Sequence, residues 1–134
     1  MKPSKEFVKE HLKLSKEFLK DAKRLFELKS LRSAVDRAYY AMYHAAQAIL
    51  LSKGIKAKTH KGTILEFGKN IVEKGLIPKE YGKWFAEALD TRLSGTYNIY
   101  AHFGEEIVEK LIERAEKFVK EVEKILEVNE TDET

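Results

Sequence analysis

The segment from Ser33 to Leu51 constrains the fold most, because it has a helical pattern and is apolar nearly all round. It has no Lys or Glu between Val35 and Leu51. At about 100° per residue, one face carries Ala38, Met42, Ala45, Ala46, Ile49 and Leu50. The other face carries Ser33, Arg37, Tyr40, Ala41, His44, Ala48 and Leu51. Such a helix is usually buried, so its polar side chains must find partners or line a cleft.

The composition predicts one globular domain. The chain has 134 residues, 43% of them hydrophobic and 35% charged, and a net charge of +3. We place the domain at residues 1–128 and a frayed polar tail at 129–134. The longest run without a charge, Ala38 to Ser52, is shorter than the roughly 20 residues of a membrane span, and no signal peptide is recognised. We therefore expect a cytoplasmic protein without membrane contact.

Apolar periodicity predicts five helices and no strands, and hence an all-α antiparallel bundle of four long helices and one short one. The predicted helices run from about Pro3 to Leu28, from Ser30 or Ser33 to Lys53, from Thr59 or Thr63 to Lys74, from Pro78 to Ser94–Thr96, and from Glu105 to Val128. Gly54 and Gly75 are predicted to end the second and third helices. Residues 96–104 are predicted to be irregular.

The candidate functional residues are cationic, aromatic or titratable side chains on predicted faces: Arg37, Tyr40, His44, Arg92, Tyr97 and His102. Arg37 and His44 share one helix face, about 10 Å apart. Arg92 continues the apolar stripe of the fourth helix, so it should point toward the core or a cleft. Guanidinium groups can hold a phosphodiester while a histidine moves the proton of an RNA 2′-hydroxyl.

Metal binding and other cofactors are not expected. The chain has no cysteine, and its four histidines show no i,i+4 pair and no His-Glu-x-x-His motif. No phosphate-binding glycine loop is present either. A purely structural interpretation stays open, in which Arg37 pairs with Asp36 or Asp90, His44 bonds a backbone carbonyl and the tyrosines pack in the core.

Several separated motifs resemble the HEPN domain family, and more narrowly the small stand-alone HEPN proteins of the UPF0332-like group. They are Arg37-Ala-Tyr-Tyr-Ala-Met-Tyr-His44, Gly54, Thr59-His-Lys-Gly62, Gly75-Leu-Ile-Pro-Lys-Glu-Tyr-Gly82, Arg92 and Tyr97. They occur in the same order as in the family, across about residues 5–127. The resemblance implies a helical bundle, commonly a homodimer, often paired with a minimal nucleotidyltransferase as toxin and antitoxin.

In many HEPN toxins, the resemblance further implies, an arginine followed after four to six residues by a histidine forms a metal-independent ribonuclease site across the dimer. This sequence departs from that motif. Tyr97 stands where the histidine would be, and nine residues separate Arg92 from the next histidine, His102. Tyrosine has a pKa of about 10 and is a poor general base near neutral pH.

Three hypotheses follow. In the first, a HEPN homodimer paired with a nucleotidyltransferase binds nucleotide or RNA phosphate in a cleft formed by Arg37, Tyr40, His44, Arg92 and Tyr97. In the second, the protein is an active ribonuclease toxin in which Arg92 stabilises phosphate charge and His44 or His102 is the base. In the third, it is a non-catalytic helical scaffold.

Overall fold

The computed structural model describes residues 5–98 and 102–132, with the backbone alone at residues 96, 97 and 128–132. These residues form helices α1 (Lys5–Glu27), α2 (Leu31–Ser52), α3 (His60–Phe67), α4 (Lys79–Tyr97) and α5 (Glu105–Asp132), and a π-helical turn (Gly68–Val72) continues α3. The described part of the chain contains no strand. The predicted all-α bundle of four long helices and one short one is confirmed.

The apolar helix α2 is the centre of the bundle, since it packs against α1, α3, α4 and α5. All six residues of its predicted core face are fully buried: Ala38, Met42, Ala45, Ala46, Ile49 and Leu50. Ala41 and Ala48, on the opposite predicted face, are buried as well. Small side chains on both faces let neighbouring helices approach closely, which explains why this helix needs almost no surface charge.

Aromatic rings join the outer helices beneath α2. Phe118 of α5 lies 5.0 Å from Phe67 of α3 and 5.4 Å from Phe85 of α4, measured between ring centroids. Phe85 in turn lies 6.0 Å from Tyr39 of α2. All four rings are fully buried, so one apolar cluster fixes the relative positions of four helices.

Local signals fix most helix ends. The Thr59 side chain accepts a hydrogen bond from the Gly62 amide and caps α3, which selects Thr59 over Thr63 as its start. Gly54 and Gly75 have φ angles of +76° and +77°, as predicted for glycines that end helices. Pro3 and Tyr100 lie outside the described residues.

Two helix ends differ from the predictions. Helix α4 continues through Ser94 and Gly95 to Tyr97, because the buried Gly95 packs beneath the Phe103 ring and tertiary contact outweighs its low helix propensity. The last helix continues from Val128 to Asp132.

Candidate functional site

A cleft of about 380 Å³ lies between the first turns of α2, the last turns of α4 and the segment that precedes α5. Its lining includes three arginines and one carboxylate, with small and apolar residues between them: Leu25, Arg32, Ser33, Val35, Asp36, Arg37, Arg92, Gly95 and Phe103. We call it the arginine cleft. Two predicted ligand-binding residues, Arg37 and Arg92, thus line one cavity although 55 residues separate them in sequence.

Arg92 is held firmly on the wall of this cleft. Its Nε donates to Oδ1 of Asp36 over 2.8 Å, and its guanidinium lies 4.9 Å from the Tyr40 ring centroid. Only 20% of its side chain is exposed. Burial alone would lower the pKa of Arg92, but the hydrogen bond and charge of Asp36 outweigh it and raise that pKa. Arg92 therefore keeps its charge, and the prediction that it points into a cleft is confirmed.

The other two arginines approach the cleft from α2. Arg32 donates from Nη1 to the Gly95 carbonyl at the end of α4, and its guanidinium lies 5.9 Å from the Phe103 ring centroid. Arg37 is exposed and lies 5.1 Å from the Phe18 ring centroid. Among the described residues Arg37 forms no ion pair, and the neighbouring Asp36 binds Arg92. Sequence reasoning missed Arg32, although its place one turn before Asp36 could have indicated it.

A second polar group adjoins Arg92 behind Tyr40. The hydroxyl of the fully buried Tyr39 lies 2.7 Å from Nδ1 of His60, the first residue of α3. Burial, followed by the charges of Tyr40 and Tyr43, raises the pKa of Tyr39, so the phenol stays protonated. Burial and then Arg92 lower the pKa of His60. In the sequence, His60 was noted only within the Thr59-His-Lys-Gly62 motif of the family resemblance, and no sequence signal linked it to Tyr39.

The structure does not bring His44 into the arginine cleft. Nδ1 of His44 lies 3.0 Å from Nδ1 of His11 on α1, and the ring centroids are 5.2 Å apart. One Nδ1 must donate and the other accept, so at most one of the two rings can carry a charge. Burial, and then His11, lower the pKa of His44 to about 4. His44 is therefore neutral near pH 7, and its Nδ1 already has Nδ1 of His11 as a hydrogen-bond partner.

The remaining candidates are differently placed. His102 is exposed and makes no hydrogen bond or ring contact among the described side chains. The side chain of Tyr97 lies outside the described residues. Tyr40 contacts Arg92 but does not itself line the cleft.

Within residues 5–98 and 102–132, no three His, Asp or Glu side chains come close enough together to bind a metal ion. No helix in the same ranges combines the length and apolarity that crossing a bilayer requires.

The bundle and its arginine cleft define the class of protein. Residues 8–125 match the model of the HEPN domain, so the chain belongs to the HEPN domain family. It is 37% identical over 113 residues to a UPF0332 protein of Thermotoga maritima, covering 84% of this chain and 86% of that protein. It is 38% identical over 125 residues to a protein of Methanocaldococcus jannaschii named a “putative toxin”, covering 93% and 92% of the two chains. The predicted family is therefore confirmed.

Proposed function

We propose that this chain is the HEPN component of a toxin–antitoxin-like pair and that its arginine cleft binds the phosphate of a nucleotide or RNA. The observation that carries the proposal is the meeting of Arg32, Arg37 and Arg92 around one cavity with a single carboxylate. Guanidinium groups bind phosphate oxygens through paired, charge-assisted hydrogen bonds. The relative from Methanocaldococcus jannaschii that carries the toxin name supports the biological setting.

Arg37 is the guanidinium best placed to meet a ligand. It is exposed, it forms no ion pair among the described residues, and Phe18 supports it from below. Arg92 is already bonded to Asp36, and Arg32 to a backbone carbonyl. An incoming phosphate thus meets one available guanidinium and two that are held in place by the fold, which reduces the ordering cost of binding.

The test is the binding of a fluorescent oligoribonucleotide, followed by anisotropy over a range of salt concentrations. We expect Arg37→Ala to weaken binding about fivefold or more and to reduce the salt slope by about one, as loss of one phosphate contact predicts. Arg24→Ala is the matched control, because Arg24 is an exposed arginine outside the cleft. Equal losses in the two variants would contradict a specific site.

The pairing part of the proposal follows from family membership. We propose a homodimer that associates with a minimal nucleotidyltransferase. Expression of the chain alone should arrest growth, and co-expression of a neighbouring nucleotidyltransferase gene should relieve the arrest. Sedimentation at micromolar concentration measures the homodimer directly, and a monomer would remove that part of the proposal.

A metal-independent ribonuclease is the second candidate, and the closeness of His60 to Arg92 favours it. The Arg92 guanidinium lies 4.9 Å from the Tyr40 ring centroid and the His60 ring lies 5.7 Å from it, so a phosphate-binding cation and an imidazole share one aromatic neighbour. We expect cleavage of RNA in EDTA, lost in Arg92→Gln and kept in Arg24→Ala, with circular dichroism as the check on folding. Intact RNA at wild-type concentrations that saturate binding would exclude this candidate.

A further inference from the structure

Six half-buried aromatic rings form a continuous surface on α1, α2 and the start of α3. We call this surface the aromatic band; its members are His11, Phe18, Tyr40, Tyr43, His44 and His60. Phe18 and Tyr40 have centroids 6.2 Å apart, and Tyr43 lies 4.8 Å from His60. His44 lies 5.3 Å from Tyr43 and 5.2 Å from His11, so each ring touches at least one other.

The aromatic band adjoins the arginine cleft at two points. The Arg37 guanidinium lies 5.1 Å from the Phe18 centroid, and the Arg92 guanidinium lies 4.9 Å from the Tyr40 centroid. Both arginines also line the cleft. A ligand with its phosphate in the cleft would therefore have the aromatic band directly beside it.

The two surfaces differ in charge. Burial lowers the pKa of all three histidines in the band, so the rings are neutral near pH 7. The band thus offers uncharged aromatic surface, whereas the cleft carries the positive charge. This is the division found where single-stranded nucleic acids bind, with cations along the backbone and aromatic rings beneath the bases.

The band also presents polar atoms to solvent. The hydroxyls of Tyr40 and Tyr43 and Nε2 of His60 make no hydrogen bond to described residues. No buried side-chain nitrogen or oxygen in the described residues lacks a partner, so these three atoms are reached by water. The Tyr39 hydroxyl and Nδ1 of His60 share one hydrogen bond, so Nε2 is the ring nitrogen of His60 that is left for a ligand.

We propose that the aromatic band is a nucleobase-binding surface, which takes the bases of the ligand whose phosphate occupies the arginine cleft. The inference rests on the proposed function and extends it from phosphate to base. A second copy of this chain fits the band less well, since a two-fold contact places the same patch against itself. Such a contact would bring together the adjoining clefts of two copies, each with three arginines and only one carboxylate, Asp36, in its lining.

The test compares two probes of equal charge: an oligoribonucleotide of eight adenosines and an abasic ribose-phosphate oligomer of the same length. We expect the wild-type chain to bind the adenosine oligomer about tenfold more tightly or better, as stacking of even one base predicts. Tyr43→Leu should reduce this preference to less than about threefold and leave the affinity for the abasic oligomer unchanged. Tyr43→Phe, which keeps the ring, should retain the preference.

The matched control is Tyr81→Leu, since Tyr81 is a half-buried tyrosine on α4 beside Trp84 and outside the band. It should bind as the wild type does. Equal wild-type affinity for both oligomers, with Arg37→Ala weakening both, would overturn the aromatic band as a base site and leave the proposed function standing. No binding of either oligomer would overturn both. A change of solution mass in Tyr43→Leu with an unchanged base preference would make the band a protein contact and overturn the inference.

Discussion

Nε of Arg92 on α4 donates to Oδ1 of Asp36 on α2 over 2.8 Å, across 56 residues of sequence. This pair neutralises one of the three cationic groups of the arginine cleft and holds the last turns of α4 against the first turns of α2. It is partly exposed, with 20% of the Arg92 side chain and 41% of the Asp36 side chain accessible. Its contribution is therefore more to position and charge than to stability.

Asp36→Asn should strengthen anion binding. Loss of the carboxylate raises the net charge of the cleft by one, and we expect severalfold tighter binding of an oligoribonucleotide in low salt. The loss in stability should be about 1 kcal/mol or less, as for other partly exposed ion pairs. Anisotropy and urea denaturation measure the two effects. Asp90→Asn, an exposed site on α4, is the control, and an equal gain in affinity there would show a non-specific effect.

The His11–His44 pair should make stability depend on pH. Burial holds the pKa of His44 at about 4, below its ordinary value of 6.5, so the unfolded chain takes up the proton first as the pH falls. The stability that the folded protein gains by keeping His44 neutral is fully present above pH 6.5, and it is lost as the pH falls toward about 4. For a half-buried ring, after allowance for solvent screening, the loss is about 1 to 2 kcal/mol.

His44→Gln tests this dependence, because glutamine keeps an amide group for His11 and does not titrate. Urea unfolding between pH 4 and pH 7 should show a flatter profile in the variant than in the wild type. His102→Gln, at an exposed histidine, should leave the profile unchanged. Identical profiles for the wild type and His44→Gln would show that the pair is not the source.

The Tyr39–His60 hydrogen bond should couple the two residues energetically. His60→Ala leaves the buried Tyr39 hydroxyl without its hydrogen-bond partner and should cost about 2 kcal/mol. Tyr39→Phe should cost about 1 kcal/mol, and the double variant should lose less than the sum of the two. Chemical denaturation of the four proteins completes the cycle, with His102→Ala as a surface control. Strict additivity would mean that the contact contributes nothing.

Gly95→Ala should reshape the arginine cleft with little effect on stability. A Cβ at this position would come within 2.8 Å of the edge of the Phe103 ring, which must move. Alanine favours the helix by up to about 1 kcal/mol, which offsets the displacement. Since Phe103 and Arg32 both line the cleft, we expect severalfold weaker oligoribonucleotide binding. Gly68→Ala, at a helical glycine with open space around its Cβ position, should bind normally, and a comparable loss there would contradict this account.

The fold could be predicted from sequence because local signals set most of it. The core face of α2 and the stops at Gly54 and Gly75 follow from spacing and backbone preference, whereas the sequence left the start of α3 open between Thr59 and Thr63. The end of α4 could not be predicted, because Gly95 is kept helical by Phe103, a residue of the following segment.

The candidate site could be predicted in part. Helical periodicity was enough to predict that Arg37 and Arg92 lie on helix faces that can line a cleft. Contacts between helices could not be predicted from the sequence. Asp36 pairs with Arg92 and not with its neighbour Arg37. His44 contacts His11, which lies 33 residues earlier in the chain, and is not in the cleft. His60 and Arg32 became site residues only through such contacts.

Helix α2 supplies Arg37 and Tyr40 on one side and the centre of the core on the other. The part of the binding surface that α2 supplies is therefore tied directly to the core, and it should persist until the whole bundle melts. A ligand that binds only the folded chain then adds its binding energy to global stability, about 2.7 kcal/mol at one hundred times its Kd. Thermal shift of the intact domain is thus a direct measure of occupancy, and ligands can be ranked by the melting temperature they produce.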